Sequence, residues 1–121
     1  MKTEFNPNAP TTLQGIVDQC ESDSERWFPD RADDLPFMVL ALAGEVGELA
    51  NHIKKMARGS VTYDQIRKDA SEEAIDIFIY LCNIFAALGI DPVAEYHRKR
   101  EFNERRFGNN AERAARHGGG S

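Results

Sequence analysis

The stretch "SEEAIDIFIYLCNIF", residues 71–85, decides the fold. Its apolar residues do not alternate, so a half-buried strand is a poor reading, and they recur at helical steps instead. Ile75, Ile77, Phe78, Ile79, Leu81, Cys82, Ile84, Phe85 and Leu88 cover most of a helical circumference. A helix that is apolar nearly all round is central in its bundle or buried by a partner subunit. One polar stripe interrupts it, made of Glu72, Glu73, Asp76, Tyr80 and Asn83. Asp76 and Asn83 are seven residues apart and share a face.

Working outward, local stop and start signals divide the chain into four helices. "TYDQ" (62–65) resembles a capping box and opens the central helix, which runs to Leu88 before Gly89. The helix before it is capped by Asp33 or Asp34, tolerates Pro36 in its first turn, and runs to about Arg58 before Gly59. "FPDRADDLP" (28–36) breaks the chain ahead of it. The first helix starts after Pro10, with Thr11 or Thr12 as N-cap, and runs to about Trp27. "DP" (91–92) opens the last helix, which is expected to end near Phe107, before Gly108. Residues 1–9 read as an N-terminal arm, 10–108 as the helical domain, and 109–121, ending in "GGGS", as a flexible tail. Short connections between four helices predict an all-α, four-helix bundle protomer.

Bulk properties narrow the class. A chain of 121 residues suits one core, and 41% hydrophobic with 29% charged residues makes a folded soluble protein the default. The net charge of −5 argues against a large nucleic-acid footprint, which needs a basic surface. No apolar run approaches the ~18 residues of a membrane span, and "MKTEFNPNAP" lacks the apolar segment of a signal peptide. Cys20 and Cys82 have no metal-like spacing, and Cys82 reads as a small core residue. A reducing, cytoplasmic setting is expected.

"LALAGEVGELANHIKK" (40–55) poses the chemical question. Met38, Leu42, Val46, Leu49, Ile53 and Met56 form one apolar face, yet Glu45 falls close to that face and Glu48 at its margin. Acidic residues on helices are usually solvated, and Glu21, Asp23, Glu25, Glu95 and Glu101 are read that way. A carboxylate near a core face must instead be paired or neutralised. No lysine or arginine in the middle of the central helix pairs with Asp76. Two carboxylates about 4 Å apart repel by roughly 4 kcal/mol at an effective dielectric near 20. Converging carboxylates therefore call for a multivalent cation, and oxygen-only ligands select Mg²⁺, with Mn²⁺ as a substitute. ExxE at 45/48 and ExxD at 73/76 each put two carboxylates on one helical face, a turn apart. Two such helices can face each other across a cage for the ions.

"GEVGELAN", "EEAIDIFIYL", "GIDP" and "KREFNERRF", taken in that order, resemble the MazG-like branch of the all-α nucleoside triphosphate pyrophosphatases, over roughly residues 35–107. The resemblance implies a Mg²⁺-dependent enzyme that cleaves nucleoside triphosphates between the α and β phosphates, giving a monophosphate and pyrophosphate. It implies a homodimer or homotetramer, with Glu45, Glu48, Glu73 and Asp76 as metal ligands. Glu48, Glu72 and Asp76 are the catalytic candidates, with Glu72 either assisting a water or simply solvated. Lys99, Asn103 and Arg106 share a face of the last helix, and the family's corresponding lysine and asparagine face the phosphates. Lys54, Lys55 and Arg58 suit the negative end of a helix dipole, and Lys55 is a further phosphate candidate. Trp27, with Phe28, is a candidate wall for the nucleobase or else core packing, and Asn83 a candidate partner for sugar or base. His52 reads as a partly exposed helix residue rather than a ligand.

Family habits make dGTP or GTP the leading substrate expectation, with dUTP, dCTP and phosphoribosyl-ATP as alternatives. A virus-borne protein of this kind would work in the host cytoplasm. A di-iron bundle is a poor rival, since no Glu-x-x-His pair exists. A non-enzymatic helical interaction module is the other rival, and it leaves the paired acids unexplained.

Overall fold

A computed structural model describes residues 7–118. It contains four helices and, among the described residues, no strand: α1 (Leu13–Trp27), α2 (Leu35–Ala57), α3 (Tyr63–Leu88) and α4 (Pro92–Gly118). Among these residues no single helix is long and apolar enough to cross a membrane. The arm's residues 1–6 and the last three residues of the expected tail lie outside the described residues.

The helix ends follow from side chains that satisfy orphan backbone groups. Thr12 caps α1 by accepting from the Gly15 N–H at 3.0 Å, and Asp34 caps α2 by accepting from the Phe37 N–H at 3.0 Å. Pro36 sits in the first turn of α2, where its missing N–H costs nothing. Thr62 and Gln65 form the full capping box of α3: each side chain accepts from the other's backbone N–H, at 3.3 and 2.6 Å. Gly59 and Gly89 follow α2 and α3 with φ of 78° and 64°, a region that only glycine enters without strain. Beyond Gly89, the Ile90 N–H returns to the Phe85 carbonyl at 2.9 Å and closes the helix.

The chain divides after Ile90 into two units. In the first, α1 and α2 both pack on α3, the central role that its all-round apolar surface predicts. Val17, Met38, Ile66 and Cys82 are the buried apolar residues, so each of the three helices contributes to one small core. Much of the apolar surface stays uncovered. Leu40 and Val46 on α2, and Ile75, Ile79, Leu81 and Leu88 on α3, are exposed.

The second unit is α4. Asp91 caps it, accepting from the Val93 and Ala94 N–H groups, each at 3.1 Å. Contrary to the expected stop near Phe107, the helix runs through Gly108 to Gly118, so residues 109–118 are helical rather than an irregular tail. A helical glycine costs only about 1 kcal/mol relative to alanine. The residues beyond it, "NNAERAARH", include alanines, arginines and a glutamate that favour helix, and no proline.

Candidate functional site

The two acidic motifs meet across the α2–α3 interface. One carboxylate oxygen each from Glu45, Glu73 and Asp76 lies within 4.8 Å of the others. The i, i+3 spacing explains why. Glu45 and Glu48 project from one side of α2, and Glu73 and Asp76 from the side of α3 that packs on it. Glu73 and Glu45 are half-buried and Asp76 is exposed, so the cluster has an inner wall and an open side.

Electrostatics bind Glu48 to this group as well. The Glu73 carboxyl is raised from 4.5 to about 7, first by a hydrogen bond with the Glu45 carboxyl. Partial desolvation and the hydrogen bond and charge of Glu48 add to it. In the absence of a cation, the cluster thus keeps a proton that an isolated glutamate would release. Among the described residues of α1–α3, no lysine or arginine forms an ion pair with these four carboxylates. The one basic neighbour is His52, whose Nε2 lies 3.8 Å from Glu73 Oε1. His52 is therefore part of the cluster's wall. Its position seven residues after Glu45 was the available signal. Glu72 is exposed, on the solvent side of α3.

A cleft of about 390 Å³ adjoins the cluster, and Asp76 lines it. Tyr80 and Asn83, the next polar residues along the same stripe of α3, line it too. Trp27 and Phe28 supply aromatic surface where α1 ends, and Phe37 and Met38 where α2 begins. Trp27 and Phe28 are 61% and 59% exposed, so they are cleft residues rather than core packing. Asn83 is only 9% exposed, and its Oδ1 has no hydrogen-bond partner.

Asp23, Arg31 and Cys20 are among the cleft residues that the sequence reading missed. Asp23, expected to be a solvated surface charge, is half-buried in the lining, where it accepts from Arg26 at 2.7 Å and Gln19 at 2.9 Å. The local turn carries it there, because α1 ends only four residues later. Arg31 lies on the turn between α1 and α2 and holds its guanidinium 4.6 Å from the Phe37 ring centroid. Cys20 faces the cleft and the buried Cys82. Burial pushes the Cys82 thiol up to about 11, so it stays protonated and unreactive at neutral pH.

The remaining candidates lie apart from this group in the chain. Lys55 is exposed in the last turn of α2, where the helix dipole favours a cation. Lys99, Asn103 and Arg106 belong to the second unit. Lys99 Nζ lies 4.7 Å from the Phe102 ring, and the Arg106 guanidinium 5.6 Å from it and 4.7 Å from the Phe107 ring. These cations share one face of α4 with a ring between them. No protein-family model matches the chain, and no curated protein matches it.

Proposed function

We propose that the chain is a metal-dependent nucleoside triphosphate pyrophosphohydrolase, cleaving between the α and β phosphates to give a monophosphate and pyrophosphate. The observation that carries the proposal is the convergence of Glu45, Glu73 and Asp76 from two helices, with Glu48 helping to raise the Glu73 carboxyl. This donor set fits a hard divalent cation. All its atoms are carboxylate oxygens, it lacks a lysine or arginine counter-charge among α1–α3, and its mutual repulsion is strong enough to hold a proton near neutral pH. Glu45, Glu48, Glu73 and Asp76 would hold Mg²⁺ or Mn²⁺. Such an ion neutralises phosphate charge and makes a bound water acidic enough to attack.

The chain's own residues supply the rest. Glu48 lies at the margin of the cluster and accepts the proton of the attacking water; exposed Glu72 is the second candidate for that role. Asp76 belongs to both the cluster and the cleft, so it couples the position of the triphosphate to that of the nucleoside. Within the unit that holds the cluster, Lys55 is the candidate to offset charge on the departing pyrophosphate. The aromatic surface of Trp27 and Phe28 takes the base. The exposed apolar residues of α2 and α3 favour a homodimer or a homotetramer, and a monomeric mass by light scattering at micromolar concentration would contradict that part. dGTP or GTP leads as substrate, ahead of dUTP, dCTP and phosphoribosyl-ATP.

One observation favours a second reading. Ile75, Ile79, Leu81 and Leu88 give α3 an exposed apolar stripe, the signature of a non-enzymatic helical interaction module. Asp76→Ala separates the two. In a variant with unchanged far-UV circular dichroism, the hydrolase reading expects turnover to vanish, and full activity in it would remove Asp76 from the mechanism.

A further inference from the structure

The chain has two cysteines, and the fold brings them together. Cys20 lies on α1 and Cys82 on α3, and their thiols are hydrogen-bonded across the packed interface of the two helices. Helical spacing explains the meeting. Val17, Cys20, Ser24 and Trp27 follow one another at steps of three and four along one face of α1. Val17 anchors that face in the core, and Cys20, Ser24 and Trp27 carry it on as a wall of the cleft.

A buried free cysteine is usually an inert small hydrophobe. This pair differs in two respects. The sulfurs contact each other, and one of them has a route to solution. Cys82 is fully buried, whereas Cys20 is half-buried and lines the cleft. Packing alone calls for neither feature, and together they are what thiol–disulfide exchange needs: an accessible attacking thiol with a second thiol beside it.

We infer that Cys20 and Cys82 are a reversible oxidation site, converted by a small disulfide such as oxidised glutathione to an intramolecular disulfide that clamps α1 to α3 beside the cleft. Cys20 is the entry point. Its thiolate attacks one sulfur of the small disulfide, forming a mixed disulfide and expelling one thiolate. The Cys82 sulfur then loses its proton and attacks the Cys20 sulfur, and the second thiolate leaves. Two protein thiols are thereby oxidised to one disulfide, and the small disulfide is reduced to two thiols that carry the released protons. By itself Cys82 stays inert; it reacts with the sulfur that Cys20 brings against it. Burial raises both protein thiols, so the exchange is slow at neutral pH and quickens as pH rises. A reducing thiol pool keeps both cysteines reduced, and the bond forms when the pool turns oxidising. The clamp ties the α1 wall of the cleft, with Asp23, Ser24 and Trp27, to the α3 wall, with Asp76, Tyr80 and Asn83. It requires neither a metal nor a nucleotide.

The test uses the full chain, reduced, desalted and incubated without air with excess oxidised glutathione at about pH 8. Intact mass and thiol titration in denaturant are followed to equilibrium. The expected product runs as a single chain on a non-reducing denaturing gel, has lost both thiols, is lighter by two hydrogens, and reverts with dithiothreitol. The bond closes the long loop between residues 20 and 82 in the unfolded chain, so the thermal midpoint should rise by at least about 5 °C. Cys82→Ser should stop at a stable glutathione adduct on Cys20, and Cys20→Ser should leave Cys82 unmodified in the native protein. Two intact thiols at equilibrium, a wild-type chain that stops at the adduct, or a bond between two chains would each overturn the inference, whether or not the variants fold. So would a disulfide that lowers the midpoint, because the sulfurs would then not be placed for bonding in the native fold.

Discussion

Divalent cation binding should tighten as pH rises, by an amount that Glu73 sets. Its carboxyl holds a proton up to about pH 7, and a carboxylate must lose that proton before it ligates. At about pH 5.5 roughly 3% of the cation-free protein has Glu73 ionised, and at about pH 8.5 roughly 97%. The apparent Kd for Mg²⁺ or Mn²⁺ should therefore fall about thirtyfold between those two conditions. Isothermal titration calorimetry reads this directly. Repeating it in buffers of different ionisation enthalpy counts protons. About one should leave per cation bound at the lower pH, and almost none at the higher. Glu45→Gln removes the largest cause of the raised value. In that variant binding should be weaker overall, and its remaining pH dependence should shift toward the ordinary carboxylate range. An affinity that stays flat between about pH 5.5 and 8.5 would refute the reasoning, because a cage without a shared proton has nothing to release.

Four further outcomes follow from particular contacts. Without divalent cation, thermal stability should be highest below the unperturbed carboxyl value of 4.5 as far as Glu73 is concerned, and should decline as pH rises to about 7. The native state holds that proton more tightly than the unfolded chain does, and added Mg²⁺ should reverse the decline. Val17→Ala, at a fully buried site on α1, should cost about 2 kcal/mol in urea unfolding. Gly89→Ala meets no atom within 4 Å but forces alanine to φ near +64°, so its cost of about 1–2 kcal/mol should be conformational and should not alter cation affinity. Asp76→Asn should lower kcat/KM by at least about a hundredfold while leaving the circular dichroism spectrum unchanged.

Helix boundaries were legible where a local signal decides them. Thr12, Asp34, the Thr62–Gln65 pair and Asp91 each cap a helix within four residues of sequence. Gly59 and Gly89 could be read as stops because each takes up a left-handed φ. Gly108 offered the same letter without that conformation, and composition beyond it carried α4 onward. The letter alone does not state whether a glycine ends a helix or merely weakens it. The meeting of the carboxylates was legible because i, i+3 spacing fixes which residues share a face, and only two helices had to pair.

The cleft was legible in part. Asp76 and Asn83 are seven apart on one helix, and both line it. Asp23, Arg31 and Phe37 come from α1, a turn and α2, and only tertiary packing brings them to one wall. His52 is the partly exposed helix residue that was expected, and its nearness to Glu73 was not legible because that neighbour lies on another helix. Asn83's unpaired oxygen is a property of packing, and no spacing in the sequence announces it.

The central claim is most directly tested by one assay. The purified chain is mixed with each common NTP and dNTP and Mg²⁺, and pyrophosphate and orthophosphate are measured separately. The account predicts pyrophosphate with an equal amount of the matching monophosphate, no orthophosphate, and loss of both products on adding a chelator. Orthophosphate as the product, or turnover that a chelator leaves intact, would contradict it, as would a complete absence of pyrophosphate from every nucleotide.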